Sequence, residues 1–217
     1  VLVAVCATSL FGLLQPLTRP PLRIRTPISQ CVDRASVVQC SAVPVTIEVT
    51  GVNSRRISAS IVILDGVDEV WRIVTDYDNL ANFVPNLVQS RRVPAPKGTI
   101  RVFQEGAQNV VGLDFRAAVT VDMTERRTDV LRRPLPSPRV GFRCHESEMF
   151  EVFSGEWSLE ALTQSGRKKR TRLSYRVDIT PKGLVPVLPL EWRIREDVPL
   201  NLQALKQTVE RSARSGG

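Results

Sequence analysis

Strict alternation governs the segment 113–124, LDFRAAVTVDMT. Leu113, Phe115, Ala117, Val119, Val121 and Met123 fall on one side of an extended chain, and Asp114, Arg116, Thr120 and Asp122 on the other. A period of two sends one face into a core and the other into water, the pattern of an antiparallel sheet covered on one side. The same period recurs at 55–64 (Ile57, Ala59, Ile61, Ile63 against Ser58 and Ser60) and at 172–180 (Leu173, Tyr175, Val177, Ile179). Further strand candidates are 87–93, 99–107, 139–145 and 149–162. They are separated by a turn at PAPKG (94–98), a proline-rich loop at 132–138, a turn at ESE (146–148) and a hairpin loop at SGRKKR (165–170). About seven strands thus share one apolar face, and that face has to be covered.

The cover is legible at the C-terminus. Leu190, Ile194, Val198, Leu202, Leu205 and Val209 recur at steps of three and four and make one apolar stripe on a long helix. Pro199 lies within it, which predicts a bend or break near Asp197. After the 55–64 strand, Asp65-Gly66 turn the chain and Asp68 and Glu69 open a short helix, where carboxylates favour the dipole. Val70, Ile73, Val74, Tyr77 and Ala81 continue at helical spacing. A second short helix ends before Pro85, with Asp78 as its N-cap. The fold class is α+β: a curved antiparallel sheet of about seven strands wrapped on one long C-terminal helix, with two short helices after the first strand. A curved sheet gripping a single helix leaves space between them.

Residues 1–44 differ in composition. Residues 1–17 are apolar and uncharged but break at Gln15-Pro16, short of the roughly 20 residues a spanning helix needs. Residues 18–44 are rich in Arg, Ser, Thr and Pro, with Asp33 their one acid, and read as a transit peptide; VQCSA (38–42) suits a processing site. The expectation is a plastid protein, with a mitochondrial or secretory route as alternatives. The domain then spans 45–213, and 214–217 is a tail. Cys6, Cys31 and Cys40 lie in the leading segment and only Cys144 in the domain, so no disulfide forms within the domain. One histidine and no CxxC pair speak against zinc. No phosphate-cradling glycine loop or other cofactor motif is present, so no cofactor is expected.

The stretch SRRISASIVILDGVDEVWRIVTDYDNLANFVPNL resembles the START-like polyketide cyclase/dehydrase and lipid-transport superfamily, as do GEWSLE (155–160), LSYRVDITPKGLVP (173–186) and IREDVPLNLQAL (194–205). The resemblance covers roughly 45–213. It is nearest to the coenzyme-Q-binding-type members and the cyanobacterial and chloroplast branch. It implies a helix-grip fold whose internal cavity takes an apolar ligand (lipid, isoprenoid or quinone) without covalent chemistry. The superfamily also contains cyclases, so a cyclase or dehydratase acting on a hydrophobic substrate is the first alternative. An interaction or assembly module with a vestigial cavity is the second.

On that expectation, Phe83, Val84 and Leu87 stand at the break between the short helices, where a mouth would open. Phe115, Ala117 and Val119 on one strand, with Trp157, Tyr175 and Val177 on two others, line the sheet side of the cavity. Ile194, Val198 and Leu202 form the opposing wall. Asp76 and Asp78 are two residues apart, about 200° around a helix, and cannot share a proton. Cys144 and His145 are neighbours on a strand and leave opposite faces. Glu146, Glu148, Glu151 and Glu156 read as solvated edge charges, with Glu156 open as a polar cavity residue beside Trp157. No catalytic constellation emerges.

The formal net charge of +8 favours an anionic partner. Arg167, Lys168, Lys169 and Arg170 are candidates for docking on an anionic membrane. No aromatic residues interleave with them, so nucleic acid is not an expected partner.

Overall fold

A computed structural model describes residues 43–110, 113–129, 131–162, 169–183 and 187–215. Eight strands form one antiparallel sheet: β1 (Val45–Gly51), β2 (Ser54–Ile63), β3 (Leu87–Val93), β4 (Ile100–Val110), β5 (Leu113–Thr128), β6 (Pro134–Ser147), β7 (Phe150–Ala161) and β8 (Thr171–Pro181). Their order across the sheet is β1-β2-β8-β7-β6-β5-β4-β3. Helix α1 (Val67–Val74) and a 3-10 turn (Leu80–Asn82) come after β2, and helix α2 (Val187–Ser215) ends the chain. The architecture is the expected helix grip, one curved sheet with one long C-terminal helix.

Several elements differ from the sequence reading. The additional strand is β1, which pairs with β2 from Val45↔Ala59 to Gly51↔Ser54 and stays largely exposed. An edge strand with one wet face shows little apolar periodicity, so its pattern is weak in the sequence. The stretch 134–138, expected as loop, is the start of β6. Pro134, Pro136 and Pro138 alternate, so their missing N–H groups all fall on one edge of the strand and the other edge can still pair. The second short helix is a single 3-10 turn, and Asp78 does not cap it; Asn79 occupies that position without a side-chain cap. Asp78 instead accepts from the Arg92 backbone N–H at 2.7 Å and its guanidinium at 3.0 Å, tying the turn to β3. Finally, α1 ends at Val74, so Asp76, Tyr77 and Asp78 lie beyond it; α2 continues past Pro199 as one helix.

The long helix lies along β2 and runs in the same direction. Arg55 of β2 is ion-paired with Glu191, Lys206 Nζ donates to the Val62 carbonyl at 2.9 Å, and the Leu64 N–H donates to Glu210 at 2.9 Å. Fifteen helical residues from Glu191 to Lys206 rise about 22 Å, and seven extended residues from Arg55 to Val62 span about 23 Å, so the spacings match. Between β2 and β3 the chain crosses the sheet to its far edge, and α1 lies against β7, β8 and α2 on the way. Neither helix approaches β4, β5 or β6 as closely among the described residues.

Val43, which the composition assigned to the leading segment, is buried against the core. Residues 1–42, and with them the transit-peptide reading, lie outside the described residues.

Candidate functional site

The inner face of the sheet has two unlike halves. Toward β6, β7 and β8 it is aromatic: Trp157 and Tyr175 ring centroids lie 4.6 Å apart, Phe142 and Tyr175 6.1 Å, Phe142 and Phe153 5.5 Å. All four rings are buried. Toward β3, β4 and β5 the register aligns Leu87, Gly106 and Ala117 in one row, a place where the wall carries almost no side-chain bulk. The adjacent row holds Ser90, Gln104 and Val119. Gln104 Nε2 donates to Ser90 Oγ at 3.2 Å, and that hydroxyl donates to the Tyr77 carbonyl.

Most of the residues proposed for the cavity are buried. Val84 and Leu87 are buried beside the 3-10 turn, and Phe83 is half-buried against the same core. Ala117, Val119, Trp157, Tyr175 and Val177 are buried on the inner face, and Ile194, Val198 and Leu202 on α2. The side chain of Phe115 lies outside the described residues. Of the basic loop, Arg167 and Lys168 also lie outside them, while Lys169 and Arg170 are exposed.

The apolar-stripe reading missed the polar groups within this interior. Asp197 is 4% exposed and Asn201 1%. They sit one helical turn apart, flanking Pro199, with Asn201 inside the arc of Leu190, Ile194 and Leu205 and Asp197 at its edge. By helical geometry they point about 80–180° away from Glu191, Lys206 and Glu210, the side chains that bind β2 and its exit, with Asn201 nearest to Glu191. Asn201 Oδ1 and Nδ2, Asp197 Oδ2, Trp157 Nε1 and Gln104 Oε1 are all buried without a hydrogen-bond partner among the described residues. Each such group costs about 1–3 kcal/mol unless something satisfies it. A four-residue spacing of polar groups within the stripe was the signal available in the sequence.

Burial pushes the Asp197 carboxyl up from the ordinary 3.8 to about 6; Arg193 opposes the shift and Glu196 adds to it. A carboxylate whose pKa is higher in the folded state stabilises the protein below pH 4. That contribution is lost as pH rises through 6. At pH 7 the buried charge costs on the order of 3 kcal/mol. Asp197→Asn is therefore expected to raise urea-unfolding stability by about 2–3 kcal/mol at pH 7.5 and to leave it nearly unchanged at pH 4. An equal effect at both pH values would show that Asp197 is not held in a desolvated site.

Other candidates resolve outside the interior. Glu156, by sequence a candidate polar cavity residue, faces outward and pairs with Arg139 at 3.5 Å, because it alternates with the inward-facing Trp157. Asp76 accepts from Asn79 Nδ2 at 2.9 Å, so the Asp76/Asp78 pair is split between two local ties. Cys144 packs against the core, where burial raises its thiol pKa, whereas His145 is on the wet face 4.0 Å from Asp122. Among the described residues no group of three or more His, Cys, Asp or Glu side chains could hold a metal. Among them, too, no helix is long and apolar enough to cross a membrane.

Comparison with known proteins agrees with this architecture. The family described as "Polyketide cyclase / dehydrase and lipid transport" matches residues 66–206. Among solved structures, the ZhuI aromatase/cyclase from Streptomyces sp. R1128 superposes with a TM-score of 0.56 at 21% identity, covering 76% of this chain and 98% of the other. A STAR-related lipid transfer protein from Xanthomonas axonopodis gives 0.57 at 13% identity, covering 78% and 94%. A START superfamily protein from Mycobacterium smegmatis gives 0.54 at 13%, covering 72% and 97%. At these identities the likeness is one of fold. No match was found among curated proteins.

Proposed function

The chain belongs to the polyketide cyclase / dehydrase and lipid transport family, and from that premise we propose that it binds a hydrophobic small molecule non-covalently between the inner face of the sheet and α2. The ligand is a lipid, isoprenoid or quinone carrying one oxygen-bearing head. Its apolar body lies along the thin wall at Leu87, Gly106 and Ala117, and its head meets Asn201 and Asp197. One observation carries this reading: a buried carboxamide and carboxyl on α2 with unmet hydrogen bonds in a mostly apolar interior. Ligand sites have this composition, a mostly apolar lining with a few placed polar groups. A keto or hydroxyl oxygen would meet the demand of the Asn201 amide.

The test separates binding from stability. Asn201→Leu removes two unmet polar atoms, so it is expected to raise unfolding stability by about 1 kcal/mol while lowering ligand retention at least tenfold. Ala117→Phe, which fills the thin wall, is expected to displace ligand as well. Retention is read by native mass spectrometry and solvent extraction of the protein, and by titration with a fluorescent lipid and a quinone. Absence of any apolar ligand on the wild-type protein, with Asn201→Leu destabilised, would overturn the proposal.

A second reading rests on Asp197. A buried carboxyl near pKa 6 is poised for proton transfer at neutral pH, as a cyclase or dehydratase requires. An Asp197→Asn protein that keeps its ligand but no longer converts it would select the enzyme.

A further inference from the structure

On the outer face of the sheet lies a groove of about 420 Å³, whose floor includes Phe142 and Gly155 of the strands that back it. Its walls carry Arg56, Arg126, Arg139, Arg143 and Arg176 against two acids, Glu156 and Asp178. Strand register assembles it. Thr124, Gly141, Glu156 and Arg176 form one row across β5, β6, β7 and β8. Arg126 and Arg139 face each other on one side of that row. Arg143, Ser154, Asp178 and Arg56 form the row on the other side.

Arginines outnumber acids in this groove even when its edges are counted, where Asp122, held by Arg101, faces Arg143 and Glu48 faces Arg56. Arg56 is held by Asp178 at 2.8 and 3.3 Å, and Arg139 reaches Glu156 at 3.5 Å. Arg126, Arg143 and Arg176 make no ion pair among the described residues. Arg126 and Arg139 stand directly opposite each other in the ladder, and like charges so placed destabilise a sheet unless an anion lies between them. The floor is open at Gly141. A Cβ there would meet nothing closer than 3.8 Å, so packing does not demand a glycine.

Beside the groove is a second recess of about 320 Å³, sharing Glu156 and Arg176 and lined by the hydroxyl-bearing residues Thr46, Ser58, Ser60, Ser158 and Ser174 together with Pro44, Ala59 and Tyr175. Arginine forks match the oxygens of a phosphoryl group, two bonds at a time. A row of hydroxyls matches a polyhydroxylated body. We propose that the outer face binds a small soluble phosphate ester of a polyol or sugar, with its phosphoryl group over Gly141 among the arginines and its hydroxyls along the serine-lined recess. A bilayer headgroup fits less well, because the site is recessed and, among the described residues, none of the exposed large apolar side chains lines it. The proposal rests on the outer face alone and is independent of the interior ligand.

The experiment titrates the full chain with fructose 1,6-bisphosphate by calorimetry at low salt, with fructose as control. Saturable binding is expected for the bisphosphate and none for the sugar. Arg126→Ser/Arg143→Ser should weaken it at least tenfold. So should Gly141→Val, which fills the floor without removing charge. Arg214→Ser, a charge change at the exposed end of α2, should alter it less than twofold. Thermal melts within a few degrees of wild type establish that each variant is folded. Absence of saturable binding, an equal loss in Arg214→Ser, or full retention in Gly141→Val would overturn the proposal. So would arginine-dependent binding to phosphatidic acid vesicles without binding of the bisphosphate.

Discussion

Replacing Gly155 by alanine is expected to destabilise the fold by about 3 kcal/mol or more, at the upper end of what overpacking costs. A Cβ at this position would lie 2.1 Å from the Arg176 carbonyl oxygen, 2.6 Å from Phe142 Cζ and 2.9 Å from Val177 Cα. Two of these are backbone atoms of β8, which is paired on both sides and cannot move without disturbing β2 as well. The third is the buried ring that covers the glycine from β6 across the ladder. The glycine is needed for close approach, not for an unusual backbone angle. Urea unfolding followed by circular dichroism measures the effect, and Gly141→Val serves as the contrast. Both are glycines within central strands, but Gly141 has open space above it and should accept valine with little or no loss. A cost below about 1 kcal/mol for Gly155→Ala would mean that β7 and β8 are not held in this register.

The second large effect is expected at the ion pair that fastens α2 to β2. The Arg55 side chain is 8% exposed and that of Glu191 19%. Arg55 also donates to the carbonyls of Ser54 at 2.9 Å and Gly51 at 3.2 Å, so one guanidinium secures both the β1–β2 turn and the start of the long helix. Removing one member of a buried pair leaves the other desolvated and unpaired, at about 3–5 kcal/mol. Arg55→Met should therefore cost about 3 kcal/mol in urea unfolding. The double variant Arg55→Met/Glu191→Leu should recover most of that loss, because two apolar chains leave no orphaned charge. If the double variant is no more stable than the single one, the ion pair is not the fastening and the lost backbone contacts of Arg55 are.

These two residues mark the boundary of what could be read in advance. Arg55 belongs by alternation to the inward set of Ile57, Ala59, Ile61 and Ile63, yet a charged residue at the start of a strand reads as exposed until its partner 136 positions away is known. The same holds for Gly155, which in sequence is one glycine in a strand and in the sheet is the point where an aromatic ring rests on the backbone. Asp197 and Asn201 lie within the helix stripe at helical spacing, so their inward direction was readable. That Asn201 Oδ1 and Nδ2 and Asp197 Oδ2 find no hydrogen-bond partner among the described residues was not, because that depends on what the opposing wall offers.

Periodicity reports the orientation of side chains relative to their own backbone, and that much is local. It revealed the strands β5 and β8, the stripe of α2 and the opposite faces of Cys144 and His145, whereas the helical argument that separated Asp76 from Asp78 does not apply, because both lie beyond the end of α1. The arginine groove has no local signature. Its five guanidiniums come from positions 56, 126, 139, 143 and 176, on β2, β5, β6 and β8, and each alone is an ordinary outward-facing residue on a strand. They meet because β8 inserts between β2 and β7 and because one register aligns Gly141 with Glu156 and Glu156 with Arg176. Strand order and register are set by loop closure and by the joint burial of the opposite face. A surface cluster on the outer side is therefore decided by the packing of residues it never touches.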